Sequence, residues 1–417
     1  MIPLTEALAP RRLGSSFRWL LGSSWSSNLG DGILVAAGPL LVASQTRDPL
    51  LVALAALLQR LPWLVFGLYA GVVADRVDRR RLVMVADAFR TVVVLLLAAS
   101  LVTHHINIAA VLGVLVLLGT AETFADTTSE TLMPMLVEKR DLGTANARLY
   151  GGFIIVNQLA GPPVGAALFA AGMALPFLVQ ALCVAAGVVL VSRVRLPAHG
   201  RQPGVRGAAR GRTLADIREG WRWLWRHPPV RTLAITIFSF NLTFGAAWSV
   251  LVLYAQDRLG MGAIGFGAIT TASALGGLVG TAAYGWLERH VTLANIMRGG
   301  LVIETLTHLV LALTTTPWVA MPVFFVFGAH AFVWGTTSTS VRQRAVPTDF
   351  QGRVGSVYMT GNVAGLVVGT ALGGLVAQRW GLTAPFWFGF VGSAVILALI
   401  WRSLTQIAHV EPLASPA

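Results

Sequence analysis

The 417-residue sequence has little charge: 12% of its residues are Asp, Glu, Lys or Arg, about half of the roughly 25% usual in a soluble domain. With 55% of its residues hydrophobic, that shortage excludes a soluble fold and makes lipid the solvent. Cysteine is nearly missing, and the lone Cys183 cannot form an internal disulfide, so no redox framework is expected. Lysine is reduced to Lys139, which follows Glu138, and this excludes a Walker-type phosphate loop and ATP hydrolysis by this chain. Neither H-E-x-x-H nor G-x-S-x-G occurs, so no catalytic residue, metal or cofactor is expected and the chain is not read as an enzyme. A cleavable signal peptide is not expected either, because the first apolar run begins after Arg11, Arg12 and Arg18 and continues too long.

What the sequence does have is long apolar runs. A helix crosses the bilayer core with about 20 apolar residues because its backbone groups pair within the segment. Candidate spans lie near 18–43, 50–73, 82–103, 107–133, 150–171 and 175–195, and again near 232–255, 262–286, 295–316, 318–341, 354–378 and 383–403. The expectation is an all-α membrane protein of twelve transmembrane helices. Residues 1–195 form an N-terminal six-helix half, 196–230 a cytoplasmic linker, and 231–417 a C-terminal six-helix half with a short tail.

The formal charge of +13 is concentrated in loops. With both termini cytoplasmic, only Arg47, Arg258 and Arg379 fall on the far side and Arg60 and Arg90 inside spans, leaving 26 of 31 basic residues on the near side. That is the positive-inside distribution, and it makes the lipid bilayer, not nucleic acid, the expected partner. Thirty arginines against one lysine fit a GC-rich bacterial genome, hence a bacterial cytoplasmic membrane. Within the linker, Leu214, Ile217, Trp221 and Leu224 form one apolar face opposite Arg218, Arg222 and Arg226, the pattern of a helix lying on an anionic membrane surface.

The halves read as copies. Arg18 and Asn28 recur as Arg231 and Asn241, Asp75 and Arg76 as Glu288 and Arg289, and Pro134 as Pro347, all 213 residues apart. Beyond a loop five residues shorter the offset is 208, pairing Tyr150 with Tyr358, Gly161 with Gly369 and Gly165 with Gly373. Two parallel repeats of this kind place a substrate site near the midplane between them, opened to either side by rocking.

The loop after the second span reads GVVADRVDRRRLVMVAD over residues 71–87. It resembles the signature loop of the major facilitator superfamily, G-x-x-x-D-R-x-G-R-[RK], through Gly71, Asp75, Arg76, Arg79 and Arg80, with Asp78 standing where glycine is usual. The resemblance implies two pseudo-symmetric six-helix bundles and a latch in which Asp75 pairs with the other half in the outward-facing state. The counterpart YGWLERH keeps only Glu288 and Arg289, so the two halves are not equally latched.

Charges inside the spans cost roughly 2.5–3.5 kcal/mol each on insertion scales, so each needs a partner, a cavity or a function. Asp31 shares a helix face with Asn28, and Glu122 shares one with Asp126. Two carboxylates so close oppose each other's ionisation, and burial adds to this, so the pair can hold a proton near neutral pH. Asp31, Glu122 and Asp126 are therefore the expected proton-coupling residues. Asp87 with Arg90, and Glu304 with His308, are expected to be satisfied structural pairs, while Arg60 either compensates Asp31 or binds an anionic group. Superfamily exporters often carry an arginine in the fourth span; this one has none.

In the fifth span, NQLAGPPVGAALFAAG is similar to the G-P-x-x-G element of the superfamily's antiporters. Asn157, Gly161, Pro162 and Gly165, with Gly276 and Gly280 in the eighth span and Gly361, Gly365, Gly369 and Gly373 in the eleventh, form small-residue ridges. By resemblance these suit a sliding contact between halves. The superfamily lines its cavity with the first, fourth, seventh and tenth spans, which implies substrate contacts from Trp25, Asn28, Asn241, Phe244, Trp248 and Trp334. Together the resemblance implies a proton-coupled exporter of amphipathic organic molecules such as drugs, antibiotics or siderophores, acting as a monomer. An importer or lipid flippase on the same scaffold is the alternative.

Overall fold

The computed structural model describes residues 11–74, 76–196, 210–347 and 350–404. Eleven helices among them are long and apolar enough to cross a membrane, and the apolar Ala384–Ile400 supplies a twelfth. We number them α1 (Gly14–Gln45), α2 (Pro49–Ala74), α3 (Arg79–Val102), α4 (Ile108–Leu136), α5 (Leu142–Gly152 continuing to Gly161–Ala171) and α6 (Leu175–Ser192). The second set is α7 (Pro228–Trp248), α8 (Ala263–His290), α9 (Leu293–Leu313), α10 (Pro317–Ala345), α11 (Gln351–Trp380) and α12 (Ala384–Ile400). No strand occurs among the described residues.

Helix starts follow the local chemistry. Asn107 and Thr292 accept from the third following N–H, at Ala110 and Asn295, and cap α4 and α9. Pro176 and Pro385 occupy first turns of α6 and α12, where a missing N–H costs nothing. Asp78, where the signature loop usually has glycine, is the N-cap of α3 and accepts from the Arg81 N–H at 3.1 Å. The departure thus replaces a flexible turn with a capped one.

The middle of α5 is π-helical over Phe153–Ala160, just before Gly161, Pro162 and Pro163. Consecutive prolines lack the N–H that would continue the i→i−4 ladder, and the wider turn absorbs the interruption.

The chain packs as two units. One comprises Met1–Arg47, Leu58–Val205 and Gly262–Thr271; the other comprises Asp48–Leu57, Arg206–Met261 and Ala272–Ala417. The first is cored by Phe17, Leu20, Leu132 and Val191, the second by Leu233, Met297, Leu301 and Trp334. Each holds the same close helix crossing. In the first unit an added Cβ on Gly161 would fall 2.5 Å from the Cα of Gly32, and Gly165 abuts Ile33. In the second, Gly369 abuts Leu242 and Gly373 abuts Ala246. Ile33 and Ala246 are 213 apart and Gly165 and Gly373 are 208 apart, so the crossing of α1 with α5 recurs as that of α7 with α11.

The glycines seat within their own units, Gly365 against Phe238, and Gly276 and Gly280 against Phe325 and Ala329 of α10. A position without Cβ serves where backbones approach most closely, and that is inside the bundles. Among the ridge residues, Gly361 differs in that an added Cβ would find open space.

The linker helix Arg210–Arg226 also departs from expectation. Leu224 is buried against Val230, Val354 and Val357, and Glu219 pairs with Arg353 at 3.1 Å, so the helix docks on α11. Trp221, assigned to the same apolar face as Leu224, is exposed and stacks on Trp225. The side chains of Leu214 and Ile217 lie outside the described residues.

Candidate functional site

The first unit contains a cavity of about 620 Å³ whose lining includes Ser27, Asn28, Asp87, Asp126, Glu130 and Tyr150. Beside it sits a buried charge cluster. Arg90, 1% exposed, donates from Nη1 to Asp87 Oδ1 at 2.9 Å and from Nη2 to Asp31 Oδ1, with a longer contact of 3.4 Å from Nη1 to Ser27 Oγ. One guanidinium therefore bridges α3 to α1 and holds two carboxylates. Charge-assisted bonds of this kind are stronger than neutral ones, and inside a low-dielectric bundle neither ion can lose its partner cheaply.

Glu122 and Asp126 of α4 lie close enough to interact electrostatically with Arg90 and Asp87. Arg60 of α2, an exposed residue, is close enough to Glu122 to interact with it electrostatically. Four carboxylates thus share two guanidinium groups; Asp31 and Asp87 are buried, Glu122 is half-buried and Asp126 is exposed toward the cavity.

Two expectations change here. Asp87 and Arg90 are not a closed pair, because Arg90 also takes Asp31. Arg60 does not compensate Asp31; the cation that does is Arg90, from a different helix. The first unit places Asn157 at the same crossing: its Nδ2 donates to the Asn28 carbonyl at 3.2 Å, tying the π-helical turn of α5 to α1 three residues before Asp31.

The expected substrate contacts separate into two groups. Asn28 lines the cavity. Trp25 instead packs on Gly152 and donates Nε1 to the Arg148 carbonyl at 3.3 Å, so it fastens α1 to α5. In the second unit Phe244 stacks on Trp248 and Phe327, with ring centroids 4.4 and 5.5 Å away, forming a partly exposed aromatic cluster. Trp334 is 6% exposed and packs in the hydrophobic core with Phe240. Asn241 donates to the Ile237 carbonyl of its own helix at 2.8 Å.

Of the expected latch, Asp75 lies outside the described residues. Gly71 is half-buried near Thr127, and Arg76 is exposed. Arg80 donates to the Val194 carbonyl at 2.8 Å and Arg79 to the Ala74 carbonyl at 3.2 Å, both within the first unit. Glu288, the counterpart of Asp75, pairs with Arg344 of α10 at 3.1 Å, while Arg289 bonds within its own helix.

Glu304 and His308 are not a closed pair, because Glu304 also takes His330. Glu304 accepts from Nε2 of His330 at 2.8 Å, whereas His308 Nε2 stands 3.4 Å from its other oxygen and neither His308 nitrogen has a hydrogen-bond partner. His330 lies 26 residues along the chain on α10, beyond the reach of any local periodicity.

Residues 5–415 match the family model described as transmembrane secretion effector. The chain belongs to the transmembrane secretion effector family of the major facilitator superfamily. Members are transporters, not enzymes. Over 380 residues, 88% of this chain and 90% of its relative, this family member is 29% identical to the multidrug efflux pump Tap of Mycolicibacterium fortuitum. Over 411 residues, 95% and 94% of the two chains, it is 24% identical to the enterobactin exporter EntS of Escherichia coli O1:K1 / APEC. Its fold is similar to the crystal structure of a bacterial homologue of the iron transporter ferroportin in the inward-facing state, at TM-score 0.73 and 16% identity over 95% of this chain and 99% of that one. At such identity the likeness speaks to the fold alone.

Proposed function

We propose that this chain exports amphipathic organic molecules across the bacterial cytoplasmic membrane in exchange for protons, working as a monomer with both termini in the cytoplasm. The observation that carries the proposal is a single buried guanidinium, Arg90, shared by Asp31 and Asp87 beside a cavity onto which Asp126 opens. An uncompensated carboxylate inside a membrane bundle is stabilised by binding a proton, and a proton so held is released when the surroundings gain water or a cation. Asp31, Glu122 and Asp126 are the groups that load and release it, and Arg90 is the fixed charge that sets which of them is ionised.

Asn28 in the cavity of the first unit and, separately, the aromatic cluster of Phe244, Trp248 and Phe327 in the second are the groups that meet substrate, the latter suiting flat or cationic organic molecules. The names of the relatives, a multidrug efflux pump and an enterobactin exporter, support the outward direction. Asp75, Arg76, Arg79 and Arg80, with Glu288 and Arg289, are the proposed conformational latch.

The test is transport of a fluorescent lipophilic cation such as ethidium into inverted membrane vesicles energised by a proton gradient. The variant Asp31→Asn/Glu122→Gln/Asp126→Asn is expected to lose gradient-dependent accumulation. Undiminished accumulation by that variant would remove the coupling assignment, and accumulation driven in the opposite direction would favour import.

A further inference from the structure

The second unit has a buried titratable cluster of its own, with no counterpart in the first. By the 213-residue offset, Asp31 corresponds to Phe244, Asp87 to Gly300 and Arg90 to Ile303. The acid-arginine cluster is therefore not repeated. Next to the Arg90 equivalent stands Glu304, and around it are His308 and His330, with exposures of 4%, 0% and 8%.

The shell of this cluster is built around the two rings. An added Cβ on Gly389 of α12 would lie 2.8 Å from His308 Nδ1, and one on Gly300 of α9 would lie 3.2 Å from His330 Nδ1. Two glycines on two helices thus clear the space that the imidazoles fill. Aromatic groups complete the wall: Trp248 lies edge-on to His308 with centroids 6.2 Å apart, and Phe327 lies edge-on to His330 at 5.5 Å.

The charges do not balance without a proton. Glu304 accepts from His330, and among the described residues its ion pairs are with the two histidines. No Arg or Lys reaches it among the described residues. Arg298, on the same helix, is turned to the Trp401 carbonyl at 2.7 Å. From α7 come Phe244 and Trp248, and Thr243, which bonds to its own helix and to Ser393 of α12. From α10 the only titratable neighbour is His330 itself. With both rings neutral, the cluster is an isolated buried anion, the most costly state for a carboxylate in an apolar shell. The unpartnered ring nitrogens, Nδ1 of both histidines and Nε2 of His308, are where a proton can go. One proton on either ring turns the anion into a neutral ion pair.

We propose that Glu304, His308 and His330 form a second proton-binding site, held in the C-terminal unit and separate from the acid cluster of the N-terminal one. The proton resides on the paired imidazoles, and Glu304 is its fixed counter-charge. This assignment does not rest on the efflux reading, because it is a statement about binding and can be read without transport.

The experiment is nitrogen NMR of the full chain in lipid nanodiscs with ¹⁵N-labelled histidine rings. The chain has 8 histidines, and His308→Gln and His330→Gln assign the two signals. Between about pH 8 and pH 5, where imidazoles titrate, the wild type is expected to show loss of the unprotonated-nitrogen signal from one of these rings. In Glu304→Gln the ratio of charged to neutral ring at a given pH is expected to fall by about tenfold. Two rings that stay neutral across the range in the wild type overturn the proposal, as does a titration that Glu304→Gln leaves unchanged. Should Glu304→Gln fail to fold, the wild-type spectrum alone decides between the two.

Discussion

Replacing Arg90 with glutamine tests whether the buried cluster is held by that one side chain. Arg90 is 1% exposed and bonds to carboxylates from two helices, at Asp87 and at Asp31. Glutamine removes the charge and leaves both acids buried without a cation. Breaking a buried ion pair by removing one partner costs about 3–5 kcal/mol, and the recorded partners here are two, so the upper part of that range is expected. Protonation of the orphaned acids relieves some of the loss, so the deficit should shrink as pH falls. The triple variant Asp31→Asn/Asp87→Asn/Arg90→Gln removes all three charges and should recover most of the stability, because the uncompensated anions are gone. The assay is equilibrium unfolding in mixed micelles, each variant at two pH values. An Arg90→Gln protein within about 0.5 kcal/mol of wild type, the range of an ordinary surface change, would refute the reasoning. So would a triple variant no more stable than the single one.

Other outcomes follow from the packing. Gly165→Val should destabilise by roughly 1–3 kcal/mol, the range for overpacking, because its Cβ would lie 3.0 Å from the Cα of Ile33; a lower unfolding midpoint is the readout. Trp248→Ala should weaken binding of a lipophilic cation by about 0.5–2 kcal/mol in protein that still unfolds cooperatively, since its ring is half-buried beside Phe244. Trp334→Ala should do the reverse and cost about 3–5 kcal/mol of stability, because its ring is core; fluorescence titration beside unfolding separates the two.

Most of the architecture is legible in the sequence because lipid imposes one rule on each span: a helix of sufficient apolar length. The duplication is legible because Asn28 with Asn241, and Gly165 with Gly373, keep their spacing, and the structure gives the two glycines equivalent crossings. What a sequence pattern does not contain is the partner across a bundle. Periodicity places Asp31 and Asn28 on one face but cannot say that Arg90, 59 residues on, meets them. His330 reaches Glu304 by the same kind of contact and goes unnoticed for the same reason. The glycine ridges show the limit most simply: the four-residue step reveals a smooth face, while the helix it meets depends on the fold.

The central claim, proton exchange for an organic substrate, is tested most directly by the pH inside proteoliposomes. With no gradient imposed, adding ethidium outside vesicles that carry the wild-type protein and a trapped pH dye should raise the internal pH, because substrate entering drives protons out. The variant Asp31→Asn/Glu122→Gln/Asp126→Asn should give no such rise. Substrate uptake by the wild type with no change of internal pH would contradict the account.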